Sequence, residues 1–240
     1  MKKTGTSLIL SAHDLVGHLN CQHLTQMDVA VANGSVAKPE HWDPLLDILR
    51  ERGRRHEQAY LDYLAAEGLS GIRIDGVDIT DNAVDATLDA MRSGADIIVQ
   101  AALRSGRWEG RADVLMKVDK PSSLGNWSYE VVDTKLARET KGGTVLQLSL
   151  YADLLADMQG VAPDHVYVVA PWSDFERQEF RVADYAAYYR KAKQAAETAT
   201  EGAVAPIIYP DPKSHCDICR WVEQCDARRR KDDHLCLVAN

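Results

Sequence analysis

No apolar run in this sequence approaches the ~20 residues that a membrane span requires. Met1-Lys2-Lys3 resembles the n-region of a signal peptide, but only Leu8-Ile9-Leu10 follow, too short for an h-region. Internal repeats, low-complexity tracts and long linkers are also missing. Cysteine occurs five times, an odd count that argues against a disulfide set and for a reducing, cytoplasmic compartment. Positive charge is in deficit, with 28 Lys and Arg against 36 Asp and Glu, a net charge of −8. That balance disfavours a nucleic-acid partner for the mean surface, although not for a cleft. No base-reading element is recognisable, so any nucleic-acid binding is expected to follow the backbone.

What is present is ordinary globular composition, 45% hydrophobic and 27% charged over 240 residues, ample for a large core. Basic residues cluster at Arg50, Arg52, Arg54 and Arg55, and again at Arg228, Arg229, Arg230 and Lys231. Each run reads equally well as a solvated face. Periodicity and punctuation predict helices over 13–32, 44–66, 82–92, 144–158 and 185–200. Strands are predicted over 72–79, 96–103, 108–118, 128–136, 166–170 and 175–182. The turn chemistry of 121–126 makes a hairpin of the strands on either side. In the second helix the stripe Leu45, Leu49, Gly53, His56, Tyr60 and Leu64 is predicted to face inward, with Arg52, Arg54, Arg55 and Glu57 outward. This order of elements indicates an α/β domain with a mixed sheet.

Two strands carry the chemistry. Alternation puts Asp113 on one face with Arg111 and Leu115, and Asp133 on one face with Lys135. If the strands pair, two carboxylates and an ammonium converge, and oxygen ligands of this kind suit Mg²⁺ or Mn²⁺. Such an ion would activate water for phosphodiester hydrolysis, with Lys135 orienting the water and offsetting charge on phosphorus. Taken singly, each part has a bland alternative: D-x-K as a solvent-facing ion pair, and an inward His56 as a core histidine.

Together, in this order, the segments resemble the RecB-family nucleases of the PD-(D/E)xK superfamily, in the subgroup with an iron–sulfur staple (the AddB and CRISPR-adaptation exonuclease type). Gly53-Arg54-Arg55-His56 resembles the family's G-x-x-H helix motif, and Gly110-Arg111-Ala112-Asp113 its G-x-x-D strand. Glu130-Val131-Val132-Asp133-Thr134-Lys135 resembles the E/D-x-K strand, and Gln147-Leu148-Ser149-Leu150-Tyr151 the Q-x-x-x-Y helix. The resemblance implies metal ligation by His56, Asp113, Asp133 and the backbone carbonyl of Thr134. It implies catalytic roles for Asp113, Asp133, Lys135, Gln147 and Tyr151. Arg54, Arg55 and Arg111 are the expected nucleic-acid contacts. Glu130 is expected to face away from the site.

Cys216-x2-Cys219-x5-Cys225 with a remote Cys21 fits a 4Fe-4S cluster. Zinc on Cys216, Cys219, Cys225 and either Cys21 or His215 fits the spacing nearly as well. The resemblance favours iron–sulfur; Cys236 has no place in either set. The expected architecture is therefore a restriction-endonuclease-like core, a mixed central sheet flanked by helices, with the termini joined by the cluster. One domain spans 1–240, with 1–40 and 205–236 bearing the cluster and 41–200 forming the catalytic core. The tail reads as cut short, since similar proteins continue into further domains. The implied activity is a metal-dependent deoxyribonuclease, an exonuclease on single strands or DNA ends in repair, recombination or defence, with DNA and a protein partner or downstream domain as partners and no membrane. The rival is a non-catalytic module that holds DNA ends or a partner on the same scaffold.

Overall fold

Turn and cap residues divide the chain at the places their chemistry favours. The computed structural model describes residues 1–40, 44–201 and 208–238. Residues 205–207 of the expected cluster-bearing tail, and the final Ala239 and Asn240, lie outside the described residues. Strands β1 (Lys2–Thr4) and β2 (Ser7–Ser11) lead into helices α1 (Ala12–Asn20) and α2 (Gln22–Ala32). Helix α3 (Pro44–Ala66) opens on its proline, as the missing N–H allows. Strand β3 (Gly71–Arg73) precedes α4 (Asp81–Ser93), where Thr80 accepts from the Ala83 N–H and Gly94 at φ 74° ends the helix. Then follow β4 (Ile97–Ser105), β5 (Trp108–Val118), β6 (Ser128–Thr134), α5 (Gly142–Gln159), β7 (His165–Val169), β8 (Arg177–Arg181) and α6 (Val182–Glu201). Helix α7 (Val222–Lys231) lies in the cysteine-rich tail.

The expected mixed sheet flanked by helices is present. β4, β5 and β6 form an antiparallel set, β6 and β7 run parallel, and β8 returns antiparallel to β7. One edge of β5 lies along β4; the other forks. Its start, Trp108 and Glu109, pairs with β2, and its end, Val114 to Val118, pairs with β6. Between those pairings Gly110 to Asp113 border a gap in the sheet. Helices α4, α5 and α6 cover one face with a core that includes Ile98, Ala112, Leu115, Val131, Leu148 and Leu154. Helix α3 covers the other, where Tyr60, Leu61 and Leu64 meet Ile97, Val99, Val114, Val132 and Val169. Among the described residues no helix is long and apolar enough to cross a membrane.

Three local expectations are corrected. The single helix over 13–32 is two helices, because Cys21 is extended (φ −159°, ψ 110°) and breaks the run. The strand over 72–79 is only Gly71–Arg73; Gly76 at φ 87° turns the chain away. The stripe on α3 is buried only from Tyr60 onward, and Leu45 and Leu49 are exposed.

The helix–sheet fit is tightest at Gly110, where a Cβ would lie 2.9 Å from Tyr151 Cδ1 and closer still to Cε1. The glycine of one motif thus makes room for the tyrosine of another. Gly110→Ala should cost about 1–3 kcal/mol through overpacking. Adding Tyr151→Ala should recover part of that loss in a double-mutant cycle read by urea denaturation; strict additivity would refute the contact.

Candidate active site

At the open fork the register brings two carboxylates together. Val114 pairs with Val132, so the next positions, Asp113 and Asp133, stand side by side where β5 and β6 part. Asp113 Oδ2 accepts the Thr134 N–H at 2.9 Å and the Thr134 hydroxyl at 3.0 Å. Asp133 is 1% exposed. Its Oδ2 lies 2.6 Å from Lys135 Nζ and has no hydrogen-bond partner besides that ion pair. Burial first, then the nearby Asp113 charge, push the Asp133 carboxyl up to about 7, against the pull of Lys135. Burial opposes the Lys135 ammonium, but Asp133 and Asp113 outweigh it and hold its pKa above the ordinary lysine value.

A third carboxylate joins them. Glu57, expected to point outward from α3, is half-buried and accepts from Gln100 Nε2 at 2.8 Å. Burial and the Asp113 charge raise its pKa. Gln100 itself has φ 56°, a left-handed conformation uncommon outside glycine and the kind of strain that collects at functional sites. The available signal was Gln100, a lone amide inside the apolar run Ile97 to Leu103.

His56, the neighbour of Glu57, donates from Nε2 to the Val169 carbonyl at 3.0 Å and stacks on Phe175. The same carbonyl accepts the Lys135 N–H, so His56 is tied to the strand segment that carries Asp133. From α5, Gln147 Nε2 donates to the Tyr151 hydroxyl at 3.2 Å. Burial, then the Asp133 charge, raise the Tyr151 pKa well beyond its usual value. Its hydroxyl therefore stays protonated beside the carboxylates.

The arginines are placed differently from one another. Arg54 and Arg55 are exposed, and both pair with Glu51. Arg111 donates to the carbonyls of Gln100 and Asp78 at 2.5 and 3.0 Å, pinning the chain after β3. Glu130 faces away, accepting from the Asp164 and His165 N–H groups and the Tyr167 hydroxyl.

The remaining group is the cysteines. Cys21, Cys216, Cys219 and Cys225 line one small cavity with His215 and the buried Arg229, while Cys236 lies apart. Burial raises the Cys225 thiol to about 11, with the other three thiols adding to it, and Cys219 is raised likewise. The tail docks through Ile208, whose carbonyl accepts from His23 and whose N–H is accepted by Gln26. Arg229 Nε donates to the Pro210 carbonyl at 2.6 Å, and Nη2 lies 3.7 Å from Cys216 Sγ.

Among the described residues, no three His, Cys, Asp or Glu side chains close on a point as the ligands of one ion. Both donor sets nevertheless fit a cation chemically. Asp113 and Asp133 share the Lys135 ammonium, the Glu57 charge adds to theirs, and Asp133 is buried with only that ammonium to offset it. Four thiols line one small cavity, a soft donor set of the kind that binds iron or zinc.

A family model for the PD-(D/E)XK nuclease superfamily matches residues 10–226. No curated protein matches the sequence. Nine chains of solved structures match it. One, described as "Crystal structure of SSO0001", is 13% identical with a TM-score of 0.43, covering 94% of this chain and 89% of its own. The mixed sheet flanked by helices is consistent with that superfamily. This chain belongs to the PD-(D/E)XK superfamily.

The buried Asp133 carboxyl carries a pH signature. Because the Asp133 pKa is raised on folding, native protein binds a proton there that unfolded chain releases above about pH 4. Its stabilising contribution is present below that pH and is lost as pH rises through about 7. In EDTA, wild type should lose about 2–3 kcal/mol more than Asp133→Asn between pH 5 and 8 in urea denaturation. Parallel pH profiles would refute the burial of this charge.

Proposed function

We propose that this chain is a RecB-like, metal-dependent DNA nuclease with an iron–sulfur staple, acting as an exonuclease on single strands or DNA ends in repair, recombination or defence. The observation that carries the reading is the buried Asp133 carboxylate, paired with Lys135 and set beside Asp113 at the open fork, in a chain of this superfamily. His56, Asp113, Asp133 and the Thr134 carbonyl are the proposed ligands. A bound Mg²⁺ or Mn²⁺ supplies Lewis acidity toward a phosphate oxygen and an acidified water.

The protein groups have separate tasks. The hydrogen bond from His56 Nε2 to Val169 fixes the ring and its tautomer, leaving the Nδ1 lone pair as donor. Lys135, with its pKa held high, works as a fixed positive charge and not as a base: it orients the attacking water and offsets charge building on the phosphate. Tyr151, kept protonated and braced by Gln147, donates to the substrate side of the site. Arg54 and Arg55 on the exposed side of α3 attract the DNA backbone, and Arg111 adds positive potential while holding the fork. Thermodynamically the cluster is a clasp. Closing a loop from Cys21 to Cys216 costs about 5 kcal/mol in chain entropy, which four metal–thiolate bonds offset. Residues 1–40 and 205–236 form the cluster-bearing part and 41–200 the catalytic core of one cytoplasmic domain, open to a protein partner or further domain.

Two experiments test this. Asp133→Ala and Lys135→Ala should each lower Mn²⁺-dependent degradation of end-labelled single-stranded DNA by at least about 10²-fold while keeping the cluster's absorbance; cleavage at the wild-type rate in either variant defeats the site assignment. Anaerobically purified protein should be brown with about four iron and four sulfide per chain. Cys216→Ala should lose the colour and melt earlier, whereas colourless wild type with stoichiometric zinc defeats the cluster.

A further inference from the structure

A second cleft, of about 750 Å³, lies on the α3 face of the sheet and plays no part in the chemistry above. Tyr60, Tyr63, Tyr167 and Phe175 line it, and the rings of Tyr60, Tyr63 and Phe175 lie against one another. Phe175 stacks on Tyr63 at 5.1 Å between centroids and on His56 at 6.2 Å, and Tyr60 lies 6.0 Å from Phe175. Beyond them, Arg177 caps the Tyr167 ring at 5.4 Å.

Two features mark the cleft as built for a ligand. Tyr60 is fully buried, yet its hydroxyl has no hydrogen-bond partner in a wall of this cleft. Leaving such a group unpaired is unfavourable, a penalty a bound acceptor or donor would remove. Asp174 and Phe175 both have positive φ, 47° and 64°, so a strained turn presents the Phe175 ring to the space.

The charges select the class of ligand. Glu67, Glu176 and Glu179 line the cleft, and of its two cations Lys117 is paired with Asp96 while Arg177 lies over Tyr167 and against Met116 sulfur. Such a wall repels phosphate and welcomes a flat, neutral ring with polar edges. Continuity favours nucleic acid over an organic cation, which rings and carboxylates would also suit: the series begins at His56, a proposed metal ligand. Tyr63 follows it along α3 by roughly 10 Å, about one or two nucleotides of an extended strand.

We propose that this cleft is a base-stacking subsite, which takes an unpaired nucleobase of the strand next to the scissile phosphate while the backbone stays at the rim. It rests on the proposed nuclease reading and adds to it a reason for single-strand preference: a paired base cannot enter without leaving its duplex. Tyr63 and Phe175 are the stacking surfaces and Tyr60 the hydrogen-bonding group.

The test uses full-length protein carrying Lys135→Ala, so that substrate stays intact. Fluorescence anisotropy with Mn²⁺ compares a labelled single strand with an abasic strand of equal length. The strand with bases should bind at least 5-fold more tightly. Tyr63→Ala and Phe175→Ala should each lose roughly 5- to 100-fold toward that strand and little toward the abasic one. Phe175→Leu, which keeps apolar volume without the ring face, guards against a folding failure and should lose affinity in the same direction. Tyr60→Phe should also weaken the based strand alone. Equal binding of the two strands, or variants that match the parent, overturns the subsite. Competition by dAMP as strong as by the strand's own bases overturns the strand as occupant in favour of the released nucleotide, and competition by tetramethylammonium alone overturns the base. Wild type that cleaves but shows none of these differences leaves the nuclease reading intact; wild type that cleaves no nucleic acid defeats that reading instead.

Discussion

Burying Asp133 is the act around which the rest is arranged. A carboxylate removed from water is expensive, and Asp113 and Glu57 make ionisation harder still. One ammonium 2.6 Å away offsets part of this. The remainder is held by packing: α5 and α6 on one face of the sheet, α3 on the other, and strands fixed by long apolar registers on both sides of the site. Such an arrangement stores unfavourable charge where a divalent ion would relieve it. A net charge of −8 describes the mean surface and does not by itself decide the potential inside such a site.

The fork in the sheet turns this electrostatic fact into an accessible one. β5 changes partner from β2 to β6, and the residues between the two pairings are freed from one edge. Gly110 admits the Tyr151 ring, while Asp113 takes the Thr134 N–H and hydroxyl. Opposite, Gln100 adopts a left-handed conformation and carries Glu57 on its amide. A regular, uninterrupted sheet would have hidden these groups in the ladder.

Much of this was legible in the chain because strands announce themselves by alternation and by turn residues. β5 lies over 108–118 as predicted, and the hairpin to β6 follows from the turn between them. The meeting of Asp113 and Asp133 was expected only if those two strands paired, and it is their register, Val114 opposite Val132, that sets the carboxylates side by side. Glu57 did not, because helical period alone put it on the solvent side; its inward lean depends on Gln100, a tertiary partner 43 residues away. Cys21 shows the same limit. Local pattern favoured one helix through it, whereas the structure breaks there so that its thiol meets the tail. The early α3 stripe failed for a related reason: periodicity marks an apolar face but does not guarantee that anything covers it.

The break at Cys21 has a temporal side. Its three companions lie near residue 220, so the ribosome releases the first thiol long before the others exist. Domains fold as their segments emerge, N-terminal parts first. α1 and α2 therefore emerge well before the segment that meets Cys21 has been made. The four-thiol cavity can assemble only after Cys225 has emerged, so the joining of these two segments comes late relative to the synthesis of α1 and α2.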